Sequence, residues 1–295
     1  MRILVTGGSS FVGAWLSHRA ARRHDVVALH HSTALRLNGV SPVRVDLRRE
    51  RDRQRLRALS LDAVVHVACR IRAPSLGDET PAEAALRTNR QMMDAVLELG
   101  LPTVYASSTV VHWAQDTPYA RSRREDEQRL RDSGLPFAIL RPSAPYGPHL
   151  ATHRPRHRES FHTLVRLVRS APLVPVIGDG QYRRQPVHVA DFADAVVALL
   201  EQGLPNDAFE AGGGQALTMD GIIGEIGRAV GKRPRILHLP KALFVQAARL
   251  SADFDPTLIA AADEDELADP TRLEAATGVP MRGFSAGVAG LVRGL

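Results

Sequence analysis

The chain starts with a passage that leaves few folds open. The apolar stretch Arg2-Ile3-Leu4-Val5-Thr6 breaks off in Gly7-Gly8-Ser9-Ser10 and passes at once into a helical pattern from Phe11. A short apolar run without polar alternation is a strand buried on both faces, as in a parallel sheet covered by helices. Further runs of strand length follow at 26–29, 43–45, 63–67, 103–106 and 137–140, with helical stretches near 11–23, 48–60, 80–99 and 117–133 between them. This alternation predicts right-handed crossovers and an α/β fold with a doubly wound parallel sheet, whose ligand sits at the carboxyl ends of the strands.

The first turn carries chemistry as well as topology. Its glycines let the backbone bend sharply and approach a pyrophosphate, whose charge is met by the helix amino terminus. Gly7, Ser10, Phe11, Val12 and Gly13 are therefore expected to hold a dinucleotide. Past about residue 145 the rhythm changes, with Pro145, Gly147, Pro148 and Pro155 marking a loop and shorter mixed elements beyond it. The expected division is a Rossmann-like dinucleotide-binding domain over 1–145 and a smaller mixed α/β substrate lobe over 146–295, with a segment around 172–200 returning to the first domain.

Composition narrows the partners. The 295 residues are 44% hydrophobic and 24% charged, enough for a core that needs no disulfide, and Cys69 is the single cysteine. The net charge is +6, and of 38 basic side chains only Lys232 and Lys241 are lysines. Such a balance favours an acidic ligand. Aromatics are only 5%, and no basic run is interleaved with stacking residues, which argues against nucleic acid. No apolar stretch approaches the roughly 20 residues of a membrane span. The expectation is a cytoplasmic protein with a small-molecule, phosphate-bearing substrate, no nucleic-acid partner and no membrane.

Several blocks in order carry a resemblance. After the turn come Asp62-Ala63-Val64-Val65-His66-Val67-Ala68-Cys69, Asn89, Ala106-Ser107-Ser108, Tyr119 with Arg123, Leu140-Arg141-Pro142 and Tyr146-Gly147-Pro148. Gly178-Asp179-Gly180, Arg184, Val187-His188-Val189-Ala190-Asp191, Asp269 and Gly278-Val279-Pro280 follow. In this the chain resembles an extended short-chain dehydrogenase/reductase of the NAD-dependent epimerase/dehydratase family, over almost its whole length. The resemblance implies hydride transfer between a nicotinamide and a carbon bearing an alcohol or ketone, with Tyr119 as acid/base and Ser108 orienting the substrate oxygen. A tyrosine, whose pKa is about 10 unperturbed, does this only if a cation lowers it. In the family that cation is a lysine four residues on, where this chain has Arg123. Arginine keeps the charge but is larger, planar and differently forked.

The resemblance also implies Val67, Ala68 and Asn89 as cofactor contacts, and Ala144 and Arg184 at the substrate. Ala144 stands where relatives acting on nucleotide-sugars often have Asn, and Gln185-Pro186 replaces Asp-Phe after Arg184. Arg183 and Arg184 are candidate phosphate contacts. Cofactor choice is read at the end of the second strand, where an acidic residue would accept the adenosine hydroxyls. His30-His31-Ser32 and Arg36 stand there instead, favouring NADP over NAD, and Asp46-Leu47 resembles the adenine-contacting pair. A ketoreductase on a nucleotide-sugar or similar polyol is the leading expectation. An NAD-dependent epimerase and a non-catalytic dinucleotide sensor or scaffold are the alternatives. A homodimer is implied through the helix carrying Tyr119 and the one before it.

Two patterns are not read as sites. His149, His153 and His157 have metal-ligand spacing, but Pro155 interrupts any helix and Arg154, Arg156 and Arg158 would repel a dication, so no metal is expected. Gly283-Phe284-Ser285-Ala286-Gly287 spells a hydrolase nucleophile elbow, yet no Asp or His follows it. Ser285 is expected to cap the last helix.

Overall fold

The computed structural model describes residues 1–75, 78–155, 159–249 and 256–295. Its first half alternates strand and helix: β1 (Arg2–Thr6), α1 (Phe11–Ala20), β2 (Asp25–His30), β3 (Val40–Arg44), α2 (Glu50–Arg57), β4 (Ala63–His66), α3 (Pro81–Leu97), β5 (Thr103–Ala106), α4 (Pro118–Asp132) and β6 (Phe137–Pro142). The second half adds α5 (Ser160–Ser170), β7 (Val174–Ile177), β8 (Arg183–Arg184), α6 (Val189–Gln202), β9 (Asp207–Ala211), β10 (Leu217–Thr218) and α7 (Met219–Val230). It ends with β11 (Ile236–Leu239), α8 (Lys241–Arg249), α9 (Pro256–Ala260), α10 (Thr271–Thr277) and α11 (Phe284–Arg293). A seven-stranded sheet runs in the order β3-β2-β1-β4-β5-β6-β9, and every pairing in it is parallel. This is the doubly wound sheet that the alternation predicts.

The strands sort their side chains by the two-residue period. Ile3 and Val5 of β1 pack on one face with Ala14, Leu16 and Phe192, while Leu4 faces the other side with Val27, Leu56 and Val96. Burying each such side chain contributes about 1.5–3 kcal/mol, so the central strands are held from both faces. β3 differs from the rest. It begins three residues before the expected 43–45 run, contains Pro42 and is largely exposed, as befits an edge strand that need not donate a full ladder. Helix starts follow the sequence closely: Thr80 and Glu83 form a reciprocal capping box on α3, and the Thr117 hydroxyl accepts from the Ala120 amide on α4.

Beyond β6 the chain leaves the sheet and later re-enters it. β7 pairs with β11 and β8 with β10, each as a separate two-stranded ribbon. α6 packs back on α1, where Arg19 and Asp194 form an ion pair, and β9 adds a strand beside β6. The chain thus returns to the sheet through α6 and β9, over residues 189–211. A second core lies in the lobe, where Tyr146, Phe161, Val165, Ile222, Phe284 and Leu291 are all buried.

Ser285 does not cap α11, contrary to expectation. Gly283 occupies the cap, and no side chain bonds there. Gly287 is small for a packing reason, since a Cβ on it would lie 2.2 Å from the Tyr146 hydroxyl. Among the described residues, no helix is long and apolar enough to cross a membrane.

Candidate active site

The carboxyl ends of β1, β4 and β5 lie side by side, and the residues that could do chemistry converge on them. Gly7 follows β1 with φ of +67°, a left-handed conformation open to glycine. A Cβ there would meet the Ala68 amide at 2.8 Å, and one on Gly13 would lie 2.2 Å from the Gly7 carbonyl. Turn and helix are thus in backbone contact, leaving a cradle that side chains would fill. Ser10 takes the place of a glycine by working as the cap of α1: its hydroxyl accepts from the Gly13 amide at 3.0 Å. Phe11 and Val12 follow in the first helical turn, where amide groups lack intrahelical partners and can meet an anion. This cradle fits a pyrophosphate.

Thr6 fixes the neighbouring loop. Its Oγ1 accepts from the amides of Val67 and Ala68, both at 3.1 Å, which fills its lone pairs and leaves its proton for His66 Nδ1 at 2.7 Å. Burial, with Arg123 adding to it, holds His66 neutral by lowering its pKa to about 3. Asn89 is 3% exposed and does not face open space. It clamps the loop after β4 through Arg70 N and O, both at 2.8 Å, and reaches Ser122 Oγ at 3.1 Å.

At the end of β2, His31, Ser32 and Arg36 are exposed, while His30 is half-buried and its pKa is lowered by burial and then by Arg44. Asp46 lies nearby, with its carboxylate held by Arg48 Nε at 2.9 Å and Nη2 at 2.8 Å. That pairing lowers its pKa to about 2. Leu47 is buried in the core beside it. The strand end thus carries imidazoles and guanidinium groups, with the Asp46 carboxylate already engaged.

Ser108, Tyr119 and Arg123 are brought together after β5. Ser108 is extended and caps the 3-10 turn Thr109–His112, and Tyr119 opens α4. The Arg123 guanidinium lies against the Tyr119 ring, 5.1 Å from its centroid. Burial raises the Tyr119 phenol above its usual value, while the Arg123 charge and hydrogen bonding from Arg123 and Ser108 act to lower it. Three further residues that were not read as site residues from the sequence shape this corner. Tyr105, Asp126 and Cys69 all surround Arg123. The readable signal was Asp126, an acid one turn beyond Arg123 on the buried face of its helix.

The phosphate contacts expected of Arg183 and Arg184 are not free. Arg183 is bound to Asp265 at 2.7 and 2.9 Å. Arg184, 8% exposed, donates to the carbonyls of Ala262 at 2.5 Å and of Glu264, and lies 3.6 Å from Glu266. Glu266 in turn accepts from Thr109 Oγ1 at 2.5 Å, one residue from Ser108. The acidic stretch 262–266 therefore lies between β8 and the candidate catalytic groups. A cleft of about 70 Å³ remains there, lined by Thr109, His112, Trp113 and residues 264–267, well below the roughly 300 Å³ of sites that take small molecules. Ala144 packs against the second core with φ of +35°, an unusual conformation for a residue with a side chain.

The histidine spacing builds no metal centre among the described residues. His153 Nε2 contacts the Ser9 carbonyl at 3.0 Å, folding this loop over the glycine turn, and His149 pairs with His162 at 4.0 Å between ring centroids. Arg156, His157 and Arg158 lie outside the described residues.

Comparison with known proteins agrees with this geometry. The sequence profile of the NAD dependent epimerase/dehydratase family matches residues 3–212. The chain is 28% identical to a dTDP-4-dehydro-6-deoxy-D-allose reductase of a Streptomyces species, over 89% of this chain and 94% of that one. It is 26% identical to a dTDP-glucose 4,6-dehydratase of Streptomyces niveus, over 74% of each. Among solved structures it is similar to the UDP-glucose 4-epimerase of Bifidobacterium longum in complex with NAD+ and UDP, with a TM-score of 0.79 at 17% identity over 100% of this chain and 98% of that one. It is also similar to the UDP-glucuronic acid 4-epimerase of Bacillus cereus in complex with UDP-glucuronic acid and NAD, with a TM-score of 0.77 at 20% identity over the same shares. From the glycine cradle to β9, fold and sequence say the same thing: the chain belongs to the NAD dependent epimerase/dehydratase family.

Proposed function

We propose that the protein is a ketoreductase, transferring hydride between NADP(H) and a keto or hydroxyl carbon of a nucleotide-sugar. The observation that carries this reading is the convergence of Ser108, Tyr119 and Arg123 beside the glycine cradle. A nicotinamide cofactor, when bound, supplies or accepts the hydride. The chain's own groups do the rest. Gly7, Ser10, Phe11, Val12 and Gly13 hold the pyrophosphate, with Val67 and Ala68 lining the cofactor's path. Ser108 orients the substrate oxygen by hydrogen bonding, and Tyr119 gives it a proton or takes one. The Arg123 cation favours the ionised phenol against the burial that opposes it.

The reductase of similar sequence supports reduction as the net reaction. Ser108-Thr109-Val110 carries none of the acidic side chains that resemble a dehydratase block, which supports the same choice. The preference for NADP rests on the end of β2. His31, Ser32 and Arg36 offer donors to a 2′-phosphate, and Asp46, bound by Arg48, is poorly placed to accept ribose hydroxyls. Assembly as a homodimer through α3 and α4 belongs to the same reading, and sedimentation would measure it.

The test is turnover of 4-keto nucleotide-sugars with NADPH and with NADH by wild-type protein and Tyr119→Phe. The expected result is a wild-type rate that is faster with NADPH and falls at least 100-fold in the variant, with cofactor binding retained. An unchanged rate in Tyr119→Phe would refute the mechanism. Tightly held NAD that survives purification would point to an epimerase instead.

A further inference from the structure

Beneath Tyr119, Arg123 is tied to buried polar groups that the reaction described above does not use. Arg123 and Asp126 are 3% and 2% exposed, one turn apart on the inner face of α4, and the fully buried Tyr105 of β5 stands between them. Arg123 Nη1 donates to the Tyr105 hydroxyl at 2.6 Å, and that hydroxyl donates to Asp126 Oδ2 at 3.1 Å. The guanidinium carbon is 5.5 Å from the Tyr105 ring centroid and 5.1 Å from that of Tyr119. The cation is thus set against two phenol rings. Its other neighbours are neutral: Nε has no hydrogen-bond partner, Nη1 also finds the Ala106 carbonyl at 3.4 Å, and the side chains of Cys69 and Tyr119 interact with the guanidinium.

A guanidinium taken out of water at this depth needs a counter-charge. Glu127, the next carboxylate on the helix, is committed to Arg141 at 2.6 and 2.9 Å and to Ser107 at 2.7 Å. Asp126 is the acid that remains. We infer that Asp126 is a positioning residue: acting through the Tyr105 hydroxyl, it holds the Arg123 guanidinium against the face of Tyr119 and so sets the cation's influence on that phenol. The inference rests on the proposed role of Tyr119. It also gives a physical reason for an anchor at an arginine here, since a long planar side chain without one could turn away from the ring. Asp126 is not among the groups acting most strongly on Tyr119 itself, whereas Arg123 is the strongest charge there, so the acid works through the guanidinium. Burial raises the Asp126 pKa to about 6, and the nearby Arg123 charge opposes that rise.

The test is an ultraviolet titration of Tyr119, taken as the difference between each protein and its Tyr119→Phe counterpart, with kcat and KM measured in parallel. Tyr105→Phe removes one oxygen and no charge, and Asp126→Ala removes the anchor. Each is expected to raise the ionisation of Tyr119 by about one pH unit and to lower kcat about tenfold with little change in KM. In an Arg123→Gln background neither substitution is expected to move it. No shift in the folded Tyr105→Phe protein would overturn the inference, as would an equal shift in both backgrounds. If Asp126→Ala does not fold, Tyr105→Phe decides alone. Full turnover by Tyr119→Phe would sink the acid/base reading, while the titration would still judge the tie.

Discussion

Gly13→Ala tests the cradle at its narrowest point. The added methyl carbon would stand 2.2 Å from the Gly7 carbonyl oxygen, 2.8 Å from its carbon and 3.0 Å from Gly8 Cα. Ordinary contact begins near 3.4 Å, so turn and helix must part by about 1 Å. Neither side yields easily. The turn is tied to β2 through the Gly8 amide and the Leu29 carbonyl at 2.8 Å, and α1 is packed on α6. Overpacking of this kind costs about 1–3 kcal/mol, partly offset by about 1 kcal/mol from alanine's better helix propensity. Stability therefore falls modestly. Cofactor binding should fall further, because the first-turn amides are displaced from the pyrophosphate. Loss of one or two hydrogen bonds to a charged group, each about 1.5–3 kcal/mol, weakens affinity by at least tenfold. Fluorescence titration with NADPH and thermal unfolding read the two effects separately. Gly224→Ala is the control, since a Cβ there meets nothing within 4 Å in the middle of α7, and it should stabilise slightly. A Gly13→Ala protein that binds NADPH within twofold of wild type would refute the assignment of this turn to the cofactor.

Arg141→Met should lower stability by about 2 kcal/mol, read by urea unfolding, because the half-buried Arg141 bridges Glu127 and Glu210 and its loss leaves the 7% exposed Glu127 carboxylate with Ser107 and a 3.5 Å contact to Arg131. Arg121→Met, which breaks an exposed pair with Asp116, should change little. Asp265→Asn should loosen Arg183, while Arg184 stays bound to the carbonyls of Ala262 and Glu264, and lower KM for a nucleotide-sugar with kcat unchanged; a raised KM would show that the acidic stretch helps to hold substrate. The pH dependence of unfolding carries a signature of His66. Its folded pKa near 3 lies below the unfolded value near 6.5, so its contribution is present above pH 6.5 and is lost as pH falls toward 3, on the order of a few kcal/mol. Asp126, with a folded value near 6, opposes this loss below pH 6. His66→Gln should flatten the acid side of the stability profile, and an unchanged slope would count against a buried neutral imidazole.

How much of this was legible in the sequence depends on how local each feature is. β1, the glycine turn and α1 are contiguous, and their buried pattern falls within one passage of the chain, so β1 and the start of α1 are read to the residue, although α1 ends at Ala20 rather than at the expected 23. The start of α3 is legible for the same reason, and its Thr80 and Glu83 capping box emerges in the structure. The convergence of Ser108, Tyr119 and Arg123 needed the family spacing as well, since nothing local joins the end of β5 to the start of α4. What escaped was decided by contacts distant in sequence. Arg184 reads as a free cation until residues 262–266 fold onto it, and Gly287 reads as part of a motif until Tyr146 is seen against it. Asp126 is an ordinary helix acid in sequence, and only the strand lying beneath α4 makes it the partner of a buried guanidinium.

The placement of β9 has a consequence for how the protein is made. β6 is complete at Pro142, but the strand that covers its open edge ends only at Ala211, after the excursion through α5, β7, β8 and α6. At about 5–20 residues per second, synthesis of the intervening chain takes roughly 3 to 14 s. Throughout that interval a nascent sheet presents Phe137 to Leu140, four buried residues of the finished protein, along an unpaired backbone. The edge is internal in the folded molecule and external on the ribosome. Truncated chains ending between residues 142 and 206 are therefore expected to aggregate or to be retained by chaperones, and those that extend well past Ala211 to be released.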